Sequence, residues 1–399
     1  MLRCLFRSSQ RMSFFRDFSV SAVAAGFVAV LVGFTSSAVI VFEAARAVGA
    51  SEAEIASWMW ALGLGMAATC IGLSLRYRAP IVTAWSTPGA AMLITGAAGL
   101  PLADAVGAFV ISAALIAIVG FSGWFARLVE RVPMALAAGM LAGILLRFGL
   151  DLFVAMQAQL GLVLPMFAAW LLARRWLPRY AVIVALGIGM AIAFTQGTLR
   201  LGEVQFALAT PVFTMPHFGL ATAIGVAVPL FIVTMASQNV PGAAILRAHG
   251  YADVPVSPLV GWTGAATLVL APFGAFALSL AAITAAICMG REAHEDPKRR
   301  YVAAVSAGFF YLLVGLFGAT VTQVFTAFPK ELVLALAGIA LIGTIGNGLA
   351  SALAKETDRE AALVTFLVTA SGLHLAGIGS AFWGLVAGAV TLFALRFRA

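Results

Sequence analysis

Three short stretches of the chain carry residue types that could bind a small anion. They are "TAWSTPGAAM" at 83–92, "SQNVPGA" at 237–243 and "FGAFALSLAA" at 273–282. None of them contains Asp, Glu, Lys or Arg. The available chemistry is therefore hydrogen bonding by main-chain N–H groups and by hydroxyl and carboxamide side chains.

The first stretch predicts a helix that begins inside a membrane span. The β-branched and aromatic residues in 81–85 favour extended backbone, and Pro88 disfavours the helical region for Thr87. Thr87 then suits the N-cap and Pro88 the first helical position. Because Pro88 is the midpoint of 79–97, the helix would begin near the centre of the bilayer.

A matching break is expected in 272–290, where the extended-looking "FGAFALS" gives way to "LAAITAAI" at Ser279. Two helix N-termini would then meet at mid-membrane, each with unpaired N–H groups and about half a positive charge. A simple kink at Pro88 and Gly89 is the alternative for the first stretch alone. The recurrence of the break favours a discontinuous site around a buried cavity.

The remaining stretch places Gln238 and Asn239 in the interior of a span. Carboxamides at that depth need a partner or a ligand. Hydrogen bonding between helices is one such role, but the neighbouring Pro241 and Gly242 favour a binding role.

The composition identifies the elements that position these residues. Of 399 residues, 62% are apolar and 10% charged, with mean hydropathy +1.05, which predicts an all-α integral membrane protein. The fourteen predicted spans are 19–42, 55–75, 80–97, 103–123, 133–149, 152–173, 180–198, 218–240, 256–271, 273–290, 301–321, 331–350, 361–373 and 376–395. Because 361–373 is short and two spans are broken, a twelve-span count is the alternative.

Charge placement predicts that both termini are cytoplasmic. With the N-terminus inside, 20 of the 24 Lys and Arg residues fall in inner segments, as the retention of positive charge on that side requires. The basic residues 1–18 then form a cytoplasmic N-terminal tail.

An inverted repeat is suggested by the first and eighth spans. An offset of 201 places Ser36 on Ser237, Arg46 on Arg247 and Gly49 on Gly250 without a gap. Seven spans would then recur as seven more, and an odd number of spans makes the second copy enter from the opposite side.

Several classes of function are disfavoured. Basic residues do not form the stripe that a nucleic-acid partner needs, and the three cysteines lack metal-ligand spacing. The loop around His294 contains both acidic and basic residues, which is typical of a solvated loop rather than a metal site. We expect no cofactor, no metal and no catalytic residue, because no nucleophile with a nearby base can be assembled at membrane depth.

At this point the chain resembles the benzoate transporter (BenE-type) family, proposed benzoate:proton symporters of the bacterial inner membrane. The resemblance lies in "YRAPIVTAWSTPGAAML", "SQNVPGAAILRAHGY" and "LAAITAAICMGREAHEDPKRRY", and in outline covers about 14–395. It implies the fold of uracil permease and sulfate permeases, with rocking or elevator motion and often a homodimer. The implied core domain comprises 19–132 and 218–322, and the implied gate domain comprises 133–200 and 330–399.

The resemblance also implies that substrate binds between the third and tenth half-helices and the eighth span. A carboxylate would accept main-chain N–H and side-chain hydrogen bonds, while Trp85 and Phe276 pack the ring. Gln238 stands where nucleobase carriers place an acidic residue, and Phe276 and Ser279 replace a His and an Asn that family members tend to carry. The candidate residues are Trp85, Ser86, Thr87, Pro88, Gly89, Ala90, Gln238, Asn239, Phe276, Ser279, Leu280, Ala281 and Ala282.

The predicted function is secondary active transport of an aromatic carboxylate, benzoate in the first place, by proton symport. No Asp or Glu lies mid-span in the core. Three alternatives follow: the substrate crosses in its protonated form, a peripheral group such as Glu43 or His374 carries the proton, or transport is not coupled to protons. The alternative function is a carrier or channel for sulfate or bicarbonate. A nucleobase carrier is disfavoured, because it usually needs a buried carboxylate to pair with ring N–H groups and the sequence offers none.

Overall fold

The computed structural model describes residues 17–129, 133–177, 180–199, 208–318, 320, 328–373, 375 and 380–396. Most of the predicted N-terminal tail and His374 lie outside this part of the chain. The described residues are mainly helical.

The first half of the chain contains eight helices and one short strand within the described residues. In chain order they are α1 (Val20–Ala47), α2 (Glu52–Tyr77), β1 (Thr83–Trp85), α3 (Thr87–Gly96), α4 (Leu102–Phe121), the short α5 (Trp124–Val129), α6 (Met134–Ala158), α7 (Leu160–Trp176) and α8 (Ala181–Thr195).

The second half repeats this order apart from the short helix. Its elements are α9 (Leu220–Ala248), α10 (Val256–Leu270), β2 (Leu278–Leu280), α11 (Ile283–Met289), α12 (Tyr301–Leu316), α13 (Lys330–Leu353), α14 (Arg359–Ala370) and α15 (Ser380–Arg396).

Helix α9 contains two π-helical turns, Ala223–Ala227 and Met235–Asn239. Each turn lies just before a proline, Pro229 or Pro241. A proline lacks the N–H that would bond to the carbonyl four residues earlier, so the helical ladder is interrupted at that place. The second turn contains both of the candidate carboxamides.

The chain is a multi-pass membrane protein. Seven helices of the described residues are long and apolar enough to cross a bilayer: Glu52–Tyr77, Leu102–Phe121, Met134–Ala158, Leu220–Ala248, Val256–Phe273, Pro297–Leu316 and Lys330–Leu353. A helix also overlaps each of the fourteen predicted spans. Of the remaining helices, α1 has 28 residues and the others have 17 or fewer, so the fourteen-span count stays a prediction.

Strands β1 and β2 pair with each other in an antiparallel two-stranded sheet. The register places Thr83 opposite Leu280, Ala84 opposite Ser279 and Trp85 opposite Leu278. The sequence predicted both extended segments but not their pairing, which joins positions about 195 residues apart.

Two predicted helix starts require correction. In the third span the N-cap is Ser86, not Thr87, since the Ser86 side chain accepts the Gly89 N–H. In the tenth span Ser279 lies within β2, and the helix begins only at Ile283. The strand extends past Ser279 because its N–H groups find hydrogen-bond acceptors in β1 and in neighbouring helices, as described below.

The helices pack as two groups. In one group α2 packs against α12, α4 against α10 and α1 against α12. In the other, α6 packs against α13 and α14, α7 against α8, and α14 against α15. Glycine permits the closest approaches in the first group: a Cβ on Gly63 would lie 2.5 Å from the Gly315 Cα, and one on Gly120 would lie 2.4 Å from the Gly261 Cα.

Candidate anion-binding site

A small cavity lies where the two broken spans cross. Its volume is about 80 Å³. The two strands and the helices that follow them form part of the cavity wall. Residues from α1, α2, α9 and α12 form the rest. The lining residues are Val32, Gly33, Ser37, Met66, Ala84, Trp85, Thr87, Gln238, Ala281, Ala282, Ile283, Thr284 and Tyr311.

Five of the predicted site residues line this cavity together. They are Trp85, Thr87, Gln238, Ala281 and Ala282. These positions come from three segments that are far apart in the sequence. The other predicted residues lie behind the cavity wall: Ser86, Pro88, Gly89, Ala90, Asn239, Phe276, Ser279 and Leu280.

Ser86 caps helix α3. Its hydroxyl accepts the Gly89 N–H at 3.1 Å and a hydrogen bond from Thr234 at 3.1 Å, and its carbonyl accepts the Ala90 N–H at 2.8 Å. The main-chain donors of Gly89 and Ala90 are therefore already used within the protein and are not free for a ligand.

Polar side chains of neighbouring helices hold strand β2 in place. The Leu280 N–H donates to Asn239 Oδ1 at 3.0 Å, and the Leu278 N–H donates to Thr267 Oγ1 at 3.0 Å. The Ser279 hydroxyl donates to the Ala84 carbonyl at 3.3 Å. Asn239 is fully buried and Ser279 likewise, so both stabilise the strand instead of facing the cavity.

Phe276 belongs to a buried aromatic cluster. Its ring centroid lies 5.8 Å from that of Trp58 and 6.1 Å from that of Phe109. These are ordinary separations for packed aromatic rings. The ring anchors the segment before β2 and does not line the cavity.

Main-chain donors remain free at both helix starts. Within the described part of the chain, the N–H groups of Thr87, Ala282 and Ile283 have no hydrogen-bond partner, whereas the Ala281 N–H donates to the Val82 carbonyl at 2.9 Å. Unpaired N–H groups in the first turn of a helix attract anions. The cavity wall therefore offers donors from both broken spans.

Two side chains add free polar groups. The Gln238 carboxamide makes no hydrogen bond to a described residue and lines the cavity. The Thr284 hydroxyl also lacks a partner among the described residues, although Thr284 is only 6% exposed. Buried polar groups without partners are unfavourable unless a ligand or water satisfies them.

The Trp85 indole is held in position by the first helix. Its Nε1–H donates to the Ser37 hydroxyl at 2.9 Å, and that hydroxyl donates to the Gly33 carbonyl at 2.8 Å. Sequence reasoning missed Ser37, Thr284 and Tyr311. Thr284 lies in the quoted "LAAITAA" string and could have been found there, but nothing local distinguishes Ser37 or Tyr311.

The cavity wall carries no charged side chain. An anion would therefore be held by neutral hydrogen-bond donors and by the positive ends of the two helices. No group of His, Cys, Asp and Glu suited to a metal ion occurs among the described residues.

Interrupted spans around a cavity are common in membrane transport proteins. The chain belongs to the BenE family, described as benzoate membrane transport protein, whose family model matches residues 16–394. The family resemblance seen in the sequence is confirmed, as is the prediction that the protein is not an enzyme.

Two relatives cover nearly the whole chain. Inner membrane protein YdcO of Escherichia coli is 51% identical over 375 residues, which are 94% of this chain and 96% of the relative. The benzoate membrane transport protein of Acinetobacter baylyi is 40% identical over 380 residues, 95% of this chain and 96% of the relative.

Two solved structures are similar in outline. SLC26A9 aligns with 96% of this chain and 66% of its own, at 13% identity and a TM-score of 0.49. The transmembrane domain of the cyanobacterial bicarbonate transporter BicA aligns with 96% of this chain and 98% of its own, at 15% identity and a TM-score of 0.44.

Proposed function

We propose that the protein is a secondary active transporter of benzoate or a closely related aromatic carboxylate in the bacterial inner membrane. One observation carries the proposal. In a member of the benzoate transport family, Gln238 and the free N–H groups of two broken spans converge on one buried cavity.

The substrate carboxylate would accept hydrogen bonds from Gln238 and from the main-chain N–H groups of Thr87 and Ala282. Trp85 would pack against the aromatic ring. Of the other predicted site residues, Ser86, Asn239, Ser279 and Leu280 would act indirectly, since they hold the helix and strand that present these donors.

The cavity must widen before it can hold benzoate. Its volume is about 80 Å³, whereas a cavity that binds benzene in another protein measures about 150 Å³. In the conformation described, the cavity is therefore too small for benzoate. A substrate-binding conformation requires movement of the surrounding elements.

An inverted seven-plus-seven repeat is supported by reciprocal packing. Spans two and eleven meet at Gly63 and Gly315, and spans nine and four meet at Gly261 and Gly120. Exchanging the two halves of the chain converts one contact into the other. The antiparallel pairing of β1 with β2 also fits two broken spans that run in opposite directions.

The two packing groups support a division into a core and a gate. The core would comprise 19–132 and 218–322, and the gate 133–200 and 330–399. The most extensive contact between the groups is made where the end of α9 packs against α6. Alternating access would then be a rocking or elevator movement of one group against the other, in a homodimer with cytoplasmic termini.

We propose that the proton gradient drives transport by symport. Glu43, one candidate carrier, is exposed and forms an ion pair with Arg46 at 2.9 Å. It does not line the central cavity. A proton-carrying group must therefore be sought elsewhere in the molecule.

Uptake of labelled benzoate into proteoliposomes tests the function. We expect saturable uptake that increases when the outside is made acidic relative to the inside. Gln238→Ala should weaken apparent affinity by about tenfold or more, because a hydrogen bond to a charged group contributes about 1.5–3 kcal/mol.

Gln157→Ala is the matched control, since Gln157 is exposed on α6, away from the central cavity. It should transport like the wild type. Absence of saturable benzoate uptake, or equal uptake by the two glutamine variants, would refute the proposed substrate or site.

A carrier of small inorganic anions is the second candidate, and the size of the cavity favours it in this conformation. About 80 Å³ accommodates a group the size of two or three water molecules at about 30 Å³ each. Competition of sulfate and bicarbonate against labelled benzoate separates the candidates, because the inorganic anions should compete strongly only if they are the substrates.

A further inference from the structure

A second and larger cavity lies between the two helix groups. Its volume is about 880 Å³. We name it the vestibule and define it by its ionisable residues: Arg174, His249, Arg291, Glu292, Glu295 and Arg300. Arg174 belongs to α7, and the others follow α9 or α11 in the chain.

Two helices connect the central cavity with the vestibule. On α9, Gln238 lines the central cavity and Ala248 lines the vestibule, ten residues or about 15 Å further along the helix. Helix α11 begins at the central cavity with Ile283 and ends at the vestibule with Met289. The vestibule thus lies on the side of the loops predicted to be cytoplasmic.

Arg300 places a positive charge in the vestibule wall without a direct ion-pair partner among the described residues. It is only 7% exposed. Its guanidinium donates to the main-chain carbonyls of His294 at 2.7 Å, Met289 at 2.7 Å and Glu295 at 3.3 Å. All three acceptors are neutral, and no ion pair joins Arg300 to a carboxylate within the described residues.

A buried charge without a counter-ion is unfavourable. An anion bound in the vestibule would relieve this cost. The wall also supplies apolar surface from Leu141, Trp170 and Ile342. The vestibule therefore combines a cation with surface suited to an aromatic ring, and its volume is ample for one.

His249 provides a group that can take up a proton. Its Nδ1 lies 3.0 Å from the Ile245 carbonyl, so Nδ1 carries the hydrogen and Nε2 is left as the basic nitrogen. Burial lowers the pKa of His249, and the charge of Arg300 lowers it further against the raising effect of the Ile245 hydrogen bond. These surroundings therefore favour neutral His249.

The surroundings of His249 contain groups of both signs. Tyr251 stays neutral, because burial raises its pKa to about 12. The other vestibule charges are Arg174 from α7 and Arg291, Glu292, Glu295 and Arg300 from the segment after α11. Three Arg and two Glu give these residues a net charge of +1, which one bound monovalent anion would neutralise.

We propose that the vestibule is a second binding station for the transported aromatic carboxylate, which lies against Arg300 and binds together with a proton on His249. The identity of the ligand rests on the proposed function. The proton comes from solvent to Nε2, forms an imidazolium and returns to solvent when the anion leaves, so no covalent bond of the ligand changes.

Electrostatic linkage explains why the two bind together. The anion offsets the charge of Arg300 and favours the protonated imidazole, and protonated His249 in turn strengthens anion binding by the same factor. This pair would couple anion binding in the vestibule to the uptake of a proton from the same side of the membrane.

The first test is a pH titration of histidine NMR signals in the full-length protein, with and without benzoate. The His249 signal is the one missing from His249→Gln. Saturating benzoate should raise the pKa of His249 by about one unit, a tenfold gain in proton affinity, as expected for a new charge a few ångströms away. An unchanged His249 titration would overturn the proposal.

Binding calorimetry with benzoate provides the second test. Between pH 7.5 and 5.5 the wild type should bind several-fold more tightly, within the tenfold limit set by a one-unit pKa shift, while His249→Gln should lose this dependence. Benzoate stays anionic in this range, since ordinary carboxyl groups have pKa values of about 4. His217→Gln is the control, because His217 bonds to Asp104 away from the vestibule, and it should keep the full dependence.

The outcomes distinguish this proposal from the proposed function. If the protein transports benzoate but benzoate does not change the pKa of His249, only the second binding station is refuted. A wild type that neither binds nor transports benzoate would refute both. Persistent pH-dependent binding in His249→Gln would also refute the linkage.

The role of Arg300 is tested by Arg300→Gln, which should weaken benzoate binding more than tenfold. Arg300 also holds three loop carbonyls, so its variants are first compared with the wild type by thermal unfolding. If Arg300→Gln does not fold, Arg300→Lys retains the charge. The wild-type NMR titration, with the His249 signal identified through His249→Gln, decides the linkage without an Arg300 variant.

Discussion

Gln238 and Asn239 are neighbours of the same chemical type, yet the structure gives them different surroundings. Asn239 accepts the Leu280 N–H and donates to the Met235 sulfur at 3.2 Å. Gln238 lines the cavity without a described partner. Neighbouring residues on a helix point in different directions, so one faces the strand and the other faces the cavity.

Asn239→Ala should destabilise the protein without removing a ligand contact. The substitution leaves the buried Leu280 N–H without an acceptor, which costs about 1–3 kcal/mol. We expect a lower thermal unfolding temperature for the detergent-solubilised protein. Gln238→Ala is the comparison: it should weaken benzoate binding and leave the unfolding temperature near that of the wild type. Equal unfolding temperatures for Asn239→Ala and the wild type would contradict the structural role.

At the scale of elements, the site depends on close contact between α9 and β2. A Cβ on Gly242 would lie 2.6 Å from the Leu280 Cβ and 3.0 Å from the Leu280 carbonyl oxygen. Only glycine allows this approach without moving the strand. Because β2 leads directly to Ala281 and Ala282, a shift of the strand would displace the cavity wall.

Gly242→Ala should therefore reduce both stability and benzoate uptake. Overpacking of this kind costs about 1–3 kcal/mol. Gly225→Ala on the same helix is the matched control, since a Cβ there would meet nothing within 4 Å, and it should be neutral or stabilising by up to about 1 kcal/mol. If the two variants behave alike in thermal unfolding and uptake, the close contact does not constrain the site.

At the scale of the whole molecule, the two helix groups meet at a buried cluster near the end of α9. Met140 from α6 and Ala244 from α9 both belong to it. The central cavity measures about 80 Å³ in this conformation. If the groups move against each other during transport, this cluster must separate or slide.

A disulfide across this contact should stop transport. We expect the double variant Met140→Cys, Ala244→Cys to lose benzoate uptake in proteoliposomes after oxidation and to regain it after reduction. The two single variants should be unaffected by the oxidant. Full uptake by the cross-linked protein would show that the groups do not move apart at this point.

Local features of the sequence predicted much of the third span. The extended segment before Pro88 and the helix after it are both present, with the N-cap one residue earlier than expected. The prediction for the tenth span was less accurate, because nothing local marks where β2 ends. Its end depends on acceptors from Asn239 and Thr267, which lie in other helices.

The sequence by itself determined that this is a multi-pass membrane protein of the benzoate transport family with an interrupted third span. Those features follow from composition, from the restricted backbone of proline and from continuous motifs. Only the tertiary structure decided which polar groups are free, since a hydrogen-bond donor is available to a ligand only when no distant segment already uses it. For that physical reason Gln238 and Thr284 face the central cavity with unused groups, while Ser86 and Asn239 serve the fold.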